Sequence, residues 1–151
     1  MKDILRYLVI DTPTQLLAEQ LWRLLEEPSA ELIASFYRDT RQSAAGLLLD
    51  EVTIVRLGQR QREHWRALFN GQFDEKYQRS ATLIAIRHLE IGLDPKWYVA
   101  GYAMLKIRFA EKLLETPLPL KTKTALLSTL EKYIAVDMAV SLSTYCSWLL
   151  D

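Results

Sequence analysis

The sequence predicts an all-α domain, and three observations carry that prediction. Glycine and proline are scarce, five of each in 151 residues, which leaves too few breakers for the turns of a sheet protein. Most of the breakers fall between stretches of helical period. Within each stretch the apolar residues recur at intervals of three and four.

Taken in order, Asp11-Thr12-Pro13 opens a helix with Leu16, Leu17, Leu21, Leu24 and Leu25 on one side. Aspartate or threonine caps such a start, and proline fits the first turn. Pro28-Ser29 is expected to separate it from a second helix bearing Leu32, Ile33, Phe36 and Tyr37. Gln42 to Asp50, with Gly46 inside, reads as a loop. A third helix runs from Glu51 to Phe69 with Ile54, Leu57, Gln61, Trp65 and Leu68 in one stripe, and Asn70-Gly71 stops it. The fourth covers about Asp74 to Ile91, with a bend near Ser80, and Gly92 ends it. The fifth starts at Pro95 and reaches about Glu115. Pro117 and Pro119 force a turn before a last helix from about Lys121. A short turn between two long helices makes them antiparallel neighbours.

The length suits one domain, which at this size can bury roughly 70% of its unfolded surface. Lysine plus arginine equals aspartate plus glutamate, 19 each, so no basic stripe is available to displace counterions from nucleic acid. A single cysteine, Cys146, rules out an internal disulfide framework and reads as a small buried apolar residue. The charged N-terminus is no secretory signal, and no apolar run reaches membrane-spanning length. A soluble, cytoplasmic, single domain over residues 1–151 is expected.

The most informative segment is His88 to Tyr102. On the fourth helix His88 shares a face with Leu83, Ile84 and Ile91. A histidine among aliphatic residues is usually a core residue bonded to a carbonyl. His88, however, lies in the last helical turn, where its ring N–H reaches a backbone carbonyl such as that of Ile84. That bond would fix the tautomer and strengthen the other nitrogen as a metal ligand. The next helix lines up Tyr98, Gly101, Tyr102 and Leu105, and Gly101 lets a backbone or a flat ring approach closely.

His88, Ile91, Gly92, Leu93, Pro95, Trp97 and Tyr98 stand in register with the proximal segment of globin-coupled sensors, which this chain resembles. Upstream, His64-Trp65, Leu68-Phe69-Asn70-Gly71 and Phe73-Asp74 are similar to the end of that family's distal helix. Phe36-Tyr37 matches its second globin helix, and Val136-Asp137-Met138-Ala139 with Tyr145 resembles its last. The resemblance spans about Leu32 to Tyr145.

The resemblance implies a globin fold holding haem b, with His88 as proximal iron ligand. Leu57, Phe36, Ile84, Tyr98, Leu68 and Phe69 would border the cofactor. On the distal side Tyr37 would offer its hydroxyl to bound gas, Gln61 a second donor, and Arg60 either an outward charge or a propionate contact. Tyr98 corresponds to a tyrosine that responds to ligation, or simply packs. His64, seven residues after Leu57, is expected at the rim or pointing outward; a bis-histidine haem through His64 and His88 is the alternative.

No catalytic residues are assigned. The implied function is sensing of a diatomic gas, O2 first, with CO and NO as further ligands. The last helix, with Leu126, Leu127, Leu130, Tyr133, Ile134, Met138, Leu142, Tyr145, Trp148 and Leu149, carries more apolar surface than one core requires. With the fifth helix it suits a homodimer interface. The helical pattern runs to Asp151 without a cap, so a C-terminal output domain, such as a diguanylate cyclase or histidine kinase, is expected to follow. A non-sensing haem globin is the alternative, then a haem-free dimerisation module.

Overall fold

Among the described residues, four of the six helices begin at an aspartate. The carboxylates of Asp11, Asp50, Asp74 and Asp94 accept hydrogen bonds from the backbone N–H of Thr14, Thr53, Tyr77 and Lys96, at 3.0, 2.7, 2.9 and 2.9 Å. Each bond satisfies an N–H that the first turn leaves without a helical partner, worth about 1 kcal/mol. The computed structural model describes residues 1–43 and 49–150, with side chains described up to residue 146. Its elements are α1 (Lys2–Tyr7), α2 (Thr12–Arg41), α3 (Glu51–Asn70), α4 (Glu75–Glu90), α5 (Pro95–Leu114) and α6 (Leu120–Leu150). The loop expected around Gly46 lies outside the described residues. Among the described residues, no helix is long and apolar enough to cross a membrane.

One expected boundary is absent. α2 runs straight through Pro28, although a proline in a helix interior costs about 3 kcal/mol through a lost hydrogen bond and a steric clash. Neighbouring side chains support the weakened turn. Ser29 Oγ donates to the Glu26 carbonyl at 2.6 Å, and Arg62 of α3 donates to the same carbonyl at 2.9 Å and to Ser29 Oγ at 3.0 Å. Leu21, Leu25 and Ile33, on both sides of the proline, are fully buried. The bonds come from a helix distant in sequence, so local reading places a break where tertiary packing keeps a helix.

The two glycine stops differ. Gly71, after α3, is extended rather than left-handed; a Cβ there would lie 2.5 Å from the Ala67 carbonyl oxygen. Gly92, after α4, has φ +73°. Leu93 N–H returns to the His88 carbonyl (3.0 Å) and Gly92 N–H to that of Leu89 (2.9 Å). This is a Schellman motif, which makes glycine the natural residue at position 92.

α2 packs on α3, and α6 lies against α2, α4 and α5. Trp22, Phe69 and Tyr133 form a stack through the core at 6.0 and 5.6 Å, with Trp65 tilted onto Phe69 and Phe109. α5 and α6 are antiparallel: Lys123 Nζ donates to the Leu114 carbonyl, Lys106 pairs with Glu131, and Tyr98 meets Tyr145. On α6, Leu126, Leu130, Tyr133, Ile134 and Tyr145 are buried within this chain. Leu127, Met138 and Leu142 are partly buried, and the side chains of Trp148 and Leu149 lie outside the described residues. On the α5–α6 pair the exposed apolar residues are Val99, Met104, Ile107 and Leu114 of α5 and Leu120 at the start of α6. Cys146 is also corrected: it is exposed, one helical step from the inward Tyr145.

Candidate functional site

Two sets of bonds orient His88. Its Nδ1 lies 2.7 Å from the Ile84 carbonyl oxygen, so Nδ1 carries the proton and donates. Its own carbonyl accepts from Leu93 through the turn at Gly92. Nε2 then holds the lone pair and has no hydrogen-bond partner among the described residues. Burial lowers the imidazole's pKa, and the Ile84 bond opposes this only in part. A neutral ring with a free Nε2 is the form that binds a metal. Among the described residues no group of three or more histidine, cysteine, aspartate or glutamate side chains could hold an ion. A single imidazole suits a metal that arrives with most of its ligands, as iron does in a porphyrin.

Tyr98, buried on α5, sets its ring edge-on to His88 with centroids 5.0 Å apart. Three residues further on, Gly101 admits the ring of Phe36: a Cβ on Gly101 would come within 3.3 Å of Phe36 Cζ. The approach of a flat ring expected at Gly101 is thus made, by a side chain of α2. Phe36 meets Tyr37 edge-to-face at 5.2 Å. One face of α5 therefore brings Phe36 of α2 and His88 of α4 within a turn of each other. The Tyr37 hydroxyl bonds to none of the described residues. Burial, reinforced by the nearby Tyr98 phenol, raises its pKa far above the usual tyrosine range, so it is a donor at any physiological pH. These groups fit haem: a free imidazole nitrogen on α4 and an unspent phenol on α2.

The other expected wall residues divide. Ile84 and Leu57 are partly buried, while Leu83 and Ile91, expected beside His88, are about 60% exposed. Leu68 and Phe69 are sealed in the core, and the ring contacts of Phe69 are with Trp22, Trp65 and Tyr133. Those three rings enclose Phe69. Gln61 is partly buried and Arg60 is exposed.

His64 is not at the rim. It is 6% exposed, and its Nε2 lies 2.9 Å from Asp137 Oδ1. A second axial nitrogen from its Nε2 would require breaking that bond. Asp137 is fully buried and also accepts from the hydroxyls of Tyr77 and Tyr102. Burial alone would raise its pKa, but the bonds from His64, Tyr102 and Tyr77 prevail and hold it below the ordinary value. Sequence reasoning gave this cluster no role. Its signal was a lone acid on the face of α6 that carries Leu130, Tyr133, Ile134, Ser141 and Tyr145.

The helices and their packing define a globin fold. The chain belongs to the Protoglobin family, whose family model matches residues 1–149. Among solved structures it is similar to the globin domain of a Geobacter sulfurreducens globin-coupled sensor. The TM-score there is 0.84 at 17% identity, covering 96% of this chain and 97% of that one. It is also similar to the globin domain of the E. coli protein DosC in a ferrous form, with a TM-score of 0.75 at 18% identity, covering 87% and 89%.

Proposed function

We propose that this domain binds haem b through His88 and senses a diatomic gas, dioxygen foremost. The observation that carries the reading is the bond from His88 Nδ1 to the Ile84 carbonyl, which leaves Nε2 free in a neutral ring. When bound, haem supplies ferrous iron with a coordination position open to a gas. His88 holds and orients the group from one side. Tyr37 keeps its proton and offers it from α2, with Gln61 of α3 as a second donor. A donor there favours a gas that gathers negative charge, dioxygen, over carbon monoxide, which gathers little.

A sensor also needs two states that the ligand distinguishes. Tyr98 touches His88 and leads along α5, whose outward Val99, Met104, Ile107 and Leu114 support a homodimer of paired α5 and α6 helices. The proposed relay runs through that pair to a C-terminal output domain.

Haem titration tests the reading. The wild-type chain should give a histidine-ligated ferrous spectrum, and His88→Ala should lose it; an unaltered Soret band in the variant would overturn the assignment. Tyr37→Phe should keep haem and release dioxygen roughly tenfold or more faster, the equivalent of about 1.4 kcal/mol for one lost charge-assisted hydrogen bond. Carbon monoxide release should change much less, and equal effects on both gases would remove Tyr37 from the role.

A further inference from the structure

Four helices converge on one buried carboxylate, that of Asp137 on α6. His64 reaches it from α3, Tyr77 from α4, and Tyr102 from α5, the last at 2.6 Å from Oδ2. The chain of contacts continues. The hydroxyls of Tyr102 and Tyr98 are 3.3 Å apart. A phenol has one proton, and that of Tyr102 goes to the carboxylate, so a bond between the two hydroxyls is donated by Tyr98, whose hydroxyl also meets that of Ser141. The carboxylate thereby dictates the direction of a two-step chain, Tyr98 to Tyr102 to Asp137, and each bond polarises the next. That chain starts at the ring standing edge-on to His88.

The cluster has a cost that stability alone does not explain. A buried ionic group gains little over well-packed apolar side chains, and such groups are best attested in fixing one arrangement among several. The arrangement fixed here includes His88. Tyr98 is held by Tyr102 at its hydroxyl and by Tyr145 across its ring, with centroids 5.1 Å apart.

We infer that Asp137 is a positioning residue for His88: through Tyr102 it fixes Tyr98 against the imidazole, while His64 and Tyr77 fasten α3 and α4 to the same carboxylate. The setting of the imidazole and the seating of α6 are then one coupled arrangement. The inference deepens the haem reading, and rests on it only for the iron-bound form.

The test compares Asp137→Asn, Tyr102→Phe and their double variant with Asp39→Asn, which removes a surface partner of Arg108. Tyr102→Phe leaves the His64 and Tyr77 bonds in place and removes the two bonds of the Tyr102 hydroxyl, to Asp137 and to Tyr98. The first readout is the side-chain nitrogen resonances of His88 in labelled protein without added haem. The second is the iron–histidine stretching band of ferrous, haem-loaded protein. Both single variants should move both signals beyond the Asp39→Asn control, and the double variant should move them no further than the larger single change, as expected for residues acting in series. If His64 resonances move while those of His88 stay at control values, the cluster is only a structural fastener and the inference is overturned. Should Asp137→Asn fail to fold, Tyr102→Phe decides alone. Should wild-type protein take up no haem, the haem reading falls while the haem-free resonances still decide this one.

Discussion

The two histidines of this chain use the same ring in opposite ways. His64 turns Nε2 to a buried carboxylate, stacks on Tyr77 at 5.9 Å, and leaves Nδ1 enclosed without a partner. His88 turns Nδ1 to a neutral backbone carbonyl and leaves Nε2 unspent. Each ring spends one nitrogen on a partner, and the other nitrogen sets them apart. That of His64 is enclosed in the core, whereas that of His88 is not, which is why one region is a fastener and the other a candidate site.

Removing the acid from the fastener should give the largest loss of stability. Asp137→Ala strands His64, Tyr77 and Tyr102 in the interior and should lower unfolding free energy by about 3–5 kcal/mol, read from the urea midpoint at unchanged slope. His88→Ala removes one neutral hydrogen bond, and in haem-free protein should cost only about 1 kcal/mol. Similar losses in the two variants would break the comparison.

Acid sharpens the same contrast. The Asp137 carboxyl is held below its ordinary value of 3.8, so the unfolded chain takes up that proton first. The stabilisation is complete above pH 3.8 and is lost as pH falls through the lower folded-state value. Asp137→Asn should therefore flatten the acid limb of the stability profile, and an unchanged limb would show the carboxylate to be uncoupled from folding. The smallest expected effect is at the turn behind His88. Gly92→Ala meets no neighbouring atom but must hold a positive φ, and should cost about 1 kcal/mol. A neutral result would mean that the turn relaxes at no cost.

What was legible in the sequence was what neighbouring residues decide. The cap at Asp11, the turn at Gly92 and the bond from His88 to Ile84 all close within five residues, and local pattern contains them. Pro28 misled because part of what braces its turn comes from Arg62, far along the chain, which bonds the Glu26 carbonyl and the Ser29 hydroxyl on either side of the proline. His64 was placed at a rim because its helical phase says which side it faces and not what waits there. Asp137 was visible as an acid on an apolar face, but its three partners come from three other helices. On α6 too, counting apolar residues along one helix does not say how many neighbours cover it, and Leu126, Leu130, Tyr133, Ile134 and Tyr145 are covered by other helices of this chain.

The turn at Gly92 also bears on the order of folding. The bonds that aim His88 span four and five residues, whereas those gathered at Asp137 span 35, 60 and 73. Short loops close at small entropic cost and within microseconds, while distant contacts wait for most of the chain. The bond that turns Nδ1 to Ile84 can close while α6 is still unplaced, whereas the Tyr98 contact that Asp137 holds through Tyr102 forms only when the last helix docks.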